Sequence, residues 1–190
     1  MRPFIKHTGI AAPLLRDNID TDQIIPSREM KTVSKTGLKE GLFAGQRYLS
    51  GREINPEFVL NRPPYTSATI IISGKNFGCG SSREHAVWAL KDFGIRAVIA
   101  ESFGEIFYNN CTRNGILAAQ MNGAQIEKLG DTVTIDLPNQ SIDGQPFDIP
   151  AGDKATLTEG LDAIAVTLKQ KAKIEAFFSK DKEKFGWKYS

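Results

Sequence analysis

Ala68-Thr-Ile-Ile-Ile-Ser-Gly-Lys-Asn-Phe-Gly-Cys-Gly-Ser-Ser-Arg-Glu-His85 runs from a β-branched apolar stretch, through a glycine-punctuated loop, into the start of a helical pattern. The stretch 68–73 reads as a short buried strand. Ser81-x-x-Glu84 reads as a capping box that opens a helix, with Gly94 placed to close it and Ala86, Ala89, Leu90 and Phe93 on one face. The same grammar then repeats. Arg96-Ala-Val-Ile-Ala100 is a second strand, and Ser102-x-x-Glu105 is a second capping box. Its helix closes near Asn114-Gly115 and carries Phe103, Ile106, Phe107 and Cys111 on its apolar face; Ile116-Leu-Ala-Ala119 is a third strand. Strand–helix–strand–helix–strand over 68–119 predicts an α/β layer with parallel strands and right-handed crossovers.

The flanks read differently. Residues 11–64 hold five prolines and four glycines and predict a loop-rich segment with one strand near Gln23–Ile25. Thr132-Val-Thr-Ile-Asp-Leu137 alternates and is expected to pair with Phe147–Ile149 across a turn-rich stretch. A helical pattern covers Leu161–Phe178. Between Lys169 and Lys188 seven lysines face three acidic residues, so residues 169–190 form a basic tail, read first as a solvated helix face. No internal repeat appears beyond the paired capping boxes, and the 190 residues read as a single domain.

Composition removes several function classes. The chain is 41% hydrophobic, 24% charged and 9% aromatic, which is the composition of a folded domain. No run of about 18 apolar residues offers a membrane span, and residues 1–15 lack the apolar core of a secretory signal, so a cytoplasmic chain is expected. A net charge of +2 does not suggest a nucleic-acid partner. The two cysteines, Cys79 and Cys111, and the two histidines, His7 and His85, show no metal-ligand spacing. The expected metal complement of this chain is therefore none, and any metal chemistry must borrow ligands from another chain.

The chemistry is expected at Gly78-Cys-Gly-Ser-Ser-Arg-Glu-His85. Glycines after a strand let the backbone bend closely, and free N–H groups at the helix start favour an anion. Arg83 adds a planar fork suited to a carboxylate or phosphate. A phosphate-binding P-loop does not fit, because Cys79 and Gly80 stand where its glycine and lysine belong. A dinucleotide fingerprint fails at Arg83, and the hydrolase G-x-S-x-G fails at Cys79 and Arg83. Ser81 reads first as a helix cap and second as a proton acceptor whose anion the helix start and Arg83 would stabilise. Asp17-Asn-Ile-Asp-Thr-Asp22 reads as an Asx-turn in preference to a calcium loop, whose closing glutamate is here Arg28.

Asn76-Phe-Gly-Cys-Gly-Ser-Ser-Arg-Glu-His-Ala86 and Asp17-Asn-Ile-Asp-Thr-Asp-Gln-Ile-Ile-Pro26 together resemble the aconitase superfamily, in particular the small-subunit family of bacterial 3-isopropylmalate dehydratases. The likeness continues through Asn55-Pro-Glu-Phe-Val-Leu-Asn61, Ser102-Phe-x-x-Ile-Phe107 and Leu161-Asp-x-Ile164. It implies a single swivelling β/β/α domain of the aconitase C-terminal type that lids a separate large subunit, with the [4Fe–4S] cluster on that partner and none in this chain. By the family's pattern Ser81 removes a proton as an alkoxide, Asp22 matches the active-site aspartate, and Gly80, Ser82 and Arg83 hold a small 2-hydroxy dicarboxylate. The loop 26–37 is then the specificity loop, offering two readings: Met30 and Val33 facing an isopropyl group, or instead Arg28 and Lys31 seeking a carboxylate. Ser34 stands where aconitase carries an arginine for a carboxylate, which suits an alkyl substituent. Ala118 stands where relatives usually have proline. Paralogues acting on methylmalate/citraconate or homocitrate, and a non-catalytic anion-binding module, are the other readings.

Overall fold

A computed structural model of the chain describes residues 1–30 and 34–189. In order the elements are β1 (Lys6–Leu14), α1 (Thr21–Ile24), α2 (Ala44–Arg47), β2 (Ile70–Ser73), α3 (Glu84–Phe93), β3 (Ala97–Ala100), α4 (Glu105–Asn114), β4 (Leu117–Gln120), α5 (Gly123–Ile126), β5 (Thr132–Asp136), β6 (Ser141–Ile142), β7 (Gln145–Pro146), α6 (Ala151–Glu159), α7 (Ala163–Leu168) and α8 (Lys171–Lys184). The chain divides into two compact units, 1–160 and the residues from 161 onward. The second unit holds α7 and α8, and α8 buries none of its residues. Among the described residues no helix is long and apolar enough to cross a membrane.

One mixed sheet organises the first unit, in the order β4-β3-β2-β1-β5-β6-β7. The half β4-β3-β2-β1 is parallel, as the repeated strand–helix grammar predicts. β2 and β3 are buried along their whole length and β4 up to Gln120, which explains their near-continuous apolar character, whereas β1 exposes Lys6, Thr8 and Pro13. Ile71, Val98 and Ala118 face α3, α4 and the segment 19–60. Ile70, Ile72, Ala97, Ile99, Leu117 and Ala119 face a second core with Val133, Ile135, Ile142 and Leu157. Gly94 and Gly115 end α3 and α4 in left-handed conformations, at φ 115° and 79°.

Several expectations are corrected. The strand near Gln23–Ile25 is the one-turn helix α1, because the Asp20 carboxylate caps the Gln23 N–H at 2.7 Å. Neither capping box forms. The N-cap of α3 is Arg83 and that of α4 is Gly104, neither with a side-chain cap bond. The Glu84 carboxylate instead accepts from Asn114 Nδ2 (2.8 Å), and the Ser102 hydroxyl accepts from the Asn76 N–H (2.8 Å). With α4 starting at Glu105, its buried stripe is Phe107, Cys111 and Asn114, and Ile106 is exposed. On α3 the buried set is Ala86, Val87, Ala89 and Leu90, with Phe93 half-buried. β5 pairs with β1 on one side and with β6 on the other, not with 147–149. Gln140, Asp143 and Gly144 adopt positive φ, which tightens both turns and brings Ser141–Ile142 into the ladder.

His7 gives the fold a testable pH dependence. Its Nε2 lies 2.8 Å from Thr69 Oγ1, and burial, with Arg96 and Arg2 nearby, pushes the imidazole below its ordinary 6.5. The unfolded chain therefore takes up a proton below about pH 6.5 that the folded chain refuses, so stability is full above that value and falls as pH drops. The urea midpoint is expected to fall between about pH 7 and pH 5.5, and His7→Gln is expected to flatten that part of the curve. Identical slopes in the two proteins would remove His7 from the pH dependence.

Candidate active site

Because β1 and β2 are parallel neighbours in register, with Leu14 opposite Ser73, the loops that follow them emerge side by side. The carboxyl ends of parallel strands are where open α/β sheets present ligand sites. The two loops are zipped together along their length. The Lys75 N–H donates to Asp17 Oδ1 (2.7 Å), the Asn18 N–H donates to the Lys75 carbonyl (2.8 Å), and Asn76 Nδ2 donates to Asn18 Oδ1 (2.8 Å). Further on, the Gly78 N–H donates to the Ile19 carbonyl (2.7 Å) and the Thr21 N–H to the Cys79 carbonyl (2.9 Å). The polar segment 17–22 thus acts as a rail for the glycine loop. Among the described residues no group of three or more His, Cys, Asp or Glu is placed to hold a metal ion.

The loop after β3 supports the other side. The Phe77 N–H donates to the Ser102 carbonyl (3.0 Å), and the Gly104 N–H returns a bond to the Phe77 carbonyl (2.9 Å). Held between two rails, the loop needs glycine where it touches its neighbours. Gly78 has φ +74°, and a Cβ there would lie 2.1 Å from Cγ of Phe107, itself 2% exposed. Gly80 has φ +91°, but its nearest neighbour, Cβ of Asp20, is 3.5 Å away. Gly78→Ala is expected to combine left-handed strain with overpacking and cost about 2–5 kcal/mol, whereas Gly80→Ala costs only about 1–2 kcal/mol of strain. Equal losses in urea unfolding would contradict this placement.

Ser81 and Ser82 stand exposed at the tip of this loop, and neither hydroxyl bonds to a described residue. Arg83 follows, its side chain 23% exposed, donating through Nη1 to Asp22 Oδ1. That bond holds the Asp22 carboxyl below its ordinary range, so it is ionised at neutral pH; Ser27 Oγ donates to the same oxygen at 3.3 Å. The structure therefore brings together Asp22, Gly80, Ser81, Ser82 and Arg83 from two loops far apart in sequence. Met30 is half-buried against the core packed on α3 and α4. Lys31 and Val33 lie outside the described residues. The exposed Ser34 hydroxyl lies 3.1 Å from Thr36 Oγ1. Sequence reasoning missed Thr21, whose buried hydroxyl donates to the Ser81 carbonyl at 3.0 Å, and Ser102 as a loop support. It also missed Asn114, whose side chain joins Glu84, Trp88 and Asn110 across α3 and α4.

Residues 1–124 match the Aconitase C-terminal domain family. A Cupriavidus necator protein named 3-isopropylmalate dehydratase small subunit is 52% identical, over 98% of both chains. Namesakes from Rhodopseudomonas palustris and Nitrobacter winogradskyi are each 49% identical over 98% of this chain and all of their own. The chain belongs to the 3-isopropylmalate dehydratase small-subunit family. A crystal structure of 3-isopropylmalate dehydratase from Methanocaldococcus jannaschii superposes with a TM-score of 0.68 at 32% identity, covering 90% of this chain and 98% of that one. Both the α/β reading and the aconitase C-terminal assignment hold.

Membership in the dehydratase small-subunit family raises the question of an iron–sulfur cluster, and this chain's thiols do not fit one. Cys111 is fully buried, and burial pushes its thiol far above the usual range. Cys79 is half-buried, and desolvation with the nearby Asp20 charge also raises it. What decides it is number: an iron–sulfur cluster is held by several cysteine thiolates, and the sequence has only these two cysteines.

Proposed function

We propose that this chain is the small subunit of a hydro-lyase interconverting 2-isopropylmalate and 3-isopropylmalate in leucine biosynthesis, active with a large subunit that supplies a [4Fe–4S] cluster. One observation carries the reading: Ser81, Ser82, Arg83 and Asp22 meet at an exposed loop tip, in a chain about half identical over its whole length to dehydratase small subunits. The names of those relatives favour isopropylmalate over methylmalate or homocitrate, and the intact serine–serine–arginine run disfavours a non-catalytic binding module.

In this reading Arg83 and Ser82 hold a substrate carboxylate, and Gly80 lets the backbone approach it. Ser81, as an alkoxide, takes the proton from the carbon beside that carboxylate. The electron pair released forms the alkene as the hydroxyl departs from the neighbouring carbon, and rehydration at the other carbon reverses these steps. The uncapped start of α3 and the Arg83 guanidinium lower the cost of the alkoxide. Asp22 holds the guanidinium until substrate arrives. Acceptance of the departing hydroxyl falls to the partner, where the resemblance places the cluster. Met30 faces the substrate's alkyl group in this reading; Val33 is assigned the same role and Lys31 a carboxylate, both from resemblance alone, because residues 31–33 lie outside the described residues. The whole chain acts as one swivel domain with a basic C-terminal tail, in the cytoplasm, with no nucleic-acid or membrane partner.

The test is co-expression with candidate large chains, followed by hydratase assays on isopropylmalate, methylmalate and homocitrate. The highest kcat/KM is expected on isopropylmalate. A single methylene in an apolar pocket is worth about 1–3 kcal/mol, so a preference of roughly tenfold or more over methylmalate is the expected margin. A complex that prefers homocitrate would overturn the substrate assignment.

A further inference from the structure

Thr21 is buried, 2% exposed, at the first position of α1, among Ile19, Ile24 and Ile25, each no more than 1% exposed. For packing alone valine would serve there, since a hydroxyl taken out of water costs free energy unless it is hydrogen-bonded. Thr21 Oγ1 spends its proton on the main-chain carbonyl of Ser81, at 3.0 Å. That carbonyl also accepts the Arg83 N–H at 2.8 Å. With both lone pairs engaged, the peptide plane between Ser81 and Ser82 is fixed, and with it the direction in which the Ser81 side chain leaves the backbone. The rail's main-chain bonds to the loop reach only to Cys79; beyond it, among the described residues, only the exposed Asp22 carboxylate, bonded to the Arg83 side chain, and the Thr21 hydroxyl reach across. After Cys79 comes Gly80, exposed, at φ +91° and without a Cβ, the most compliant link before Ser81. The Thr21 hydroxyl is the strut that spans this link.

We infer that Thr21 is a positioning residue for the proton transfer at Ser81: its hydroxyl aims the serine without touching substrate. The inference rests on Ser81 being the base. Misplacing a reacting group by about 1 Å can cost 10²-fold in rate, with substrate binding less affected.

The experiment uses the assembled two-subunit enzyme and compares Thr21→Val, Thr21→Ser and Ser81→Ala at matched complex stoichiometry. Thr21→Val keeps the shape and removes the bond. It is expected to lower kcat about ten- to a hundredfold with KM changed less than about threefold. Thr21→Ser keeps the donor and is expected to stay within about threefold of wild type in kcat. Wild-type kcat in Thr21→Val, or an equal loss in both Thr21 variants, overturns the inference. If Thr21→Val does not assemble, Thr21→Ser against Thr21→Cys decides it, because sulfur is a poor donor in a side chain of similar size. The cysteine variant is expected to lose kcat relative to the serine variant, and equality of the two overturns the inference. Activity retained in Ser81→Ala would instead remove the base assignment. An inactive Ser81→Ala beside an unimpaired Thr21→Val removes the positioning role alone.

Discussion

Ser81→Ala, assembled with the large subunit, is expected to lose about 10²–10⁴-fold in kcat, the usual range for a missing general base. Its stability is expected to change by less than about 0.5 kcal/mol, as for a surface substitution away from any structural bond. The two halves of this expectation separate the readings of Ser81. A helix cap replaced by alanine costs about 0.5–2 kcal/mol of stability and need not slow chemistry. The structure shows no cap: the N-cap of α3 is Arg83, and the Ser81 hydroxyl bonds to no described residue. A hydroxyl that stabilises nothing, at the tip of a loop held on both sides, is free to do chemistry. Thermal unfolding and steady-state kinetics on the same complex check both halves. An unchanged kcat with an intact cluster and partner removes the alkoxide role.

Arg83→Leu is expected to lower kcat/KM by roughly 30- to several-thousand-fold, the equivalent of about 2–5 kcal/mol for a truncated charge pair in a binding site. Most of the loss should appear in KM, because a carboxylate contact is made in ground and transition states alike. Arg83→Lys keeps the charge and loses the planar fork, so it should fall between wild type and the leucine variant. Folding should suffer little, since the Asp22 side chain left behind is 56% exposed and water replaces its partner. Initial-rate measurements at matched assembly check the split. A loss confined to kcat would mean that Arg83 acts on the chemical step and does not hold the carboxylate.

The parallel half of the sheet was legible because β2, β3 and β4 are β-branched or small apolar runs, each separated by a glycine-closed helix. β1 was not legible. Gly9, Ala11, Ala12 and Pro13 have weak strand propensity, and they become a strand through pairing with β2 and β5. The capping boxes were misread for a related reason. Ser102 and Glu84 find tertiary partners, Asn76 and Asn114, that no local pattern announces. Of the site, the 78–85 loop was legible from its glycines and Arg83. The role of 17–22 as its rail was not, because the register of β1 against β2 creates that contact between residues some sixty positions apart. Asp22 is assigned to the site by resemblance, and the geometry gives it a bond to Arg83. Thr21 carried no sequence signal of its own, since a threonine beside aspartates reads as turn chemistry.

The most direct measurement is a titration of the purified chain into cluster-loaded large subunit, following conversion of 3-isopropylmalate. Neither subunit alone is expected to turn over substrate, and activity should rise with added chain and saturate at one chain per large subunit. Full turnover by the large subunit alone, or iron- and sulfide-dependent turnover by this chain alone, would contradict the division of chemistry between the two.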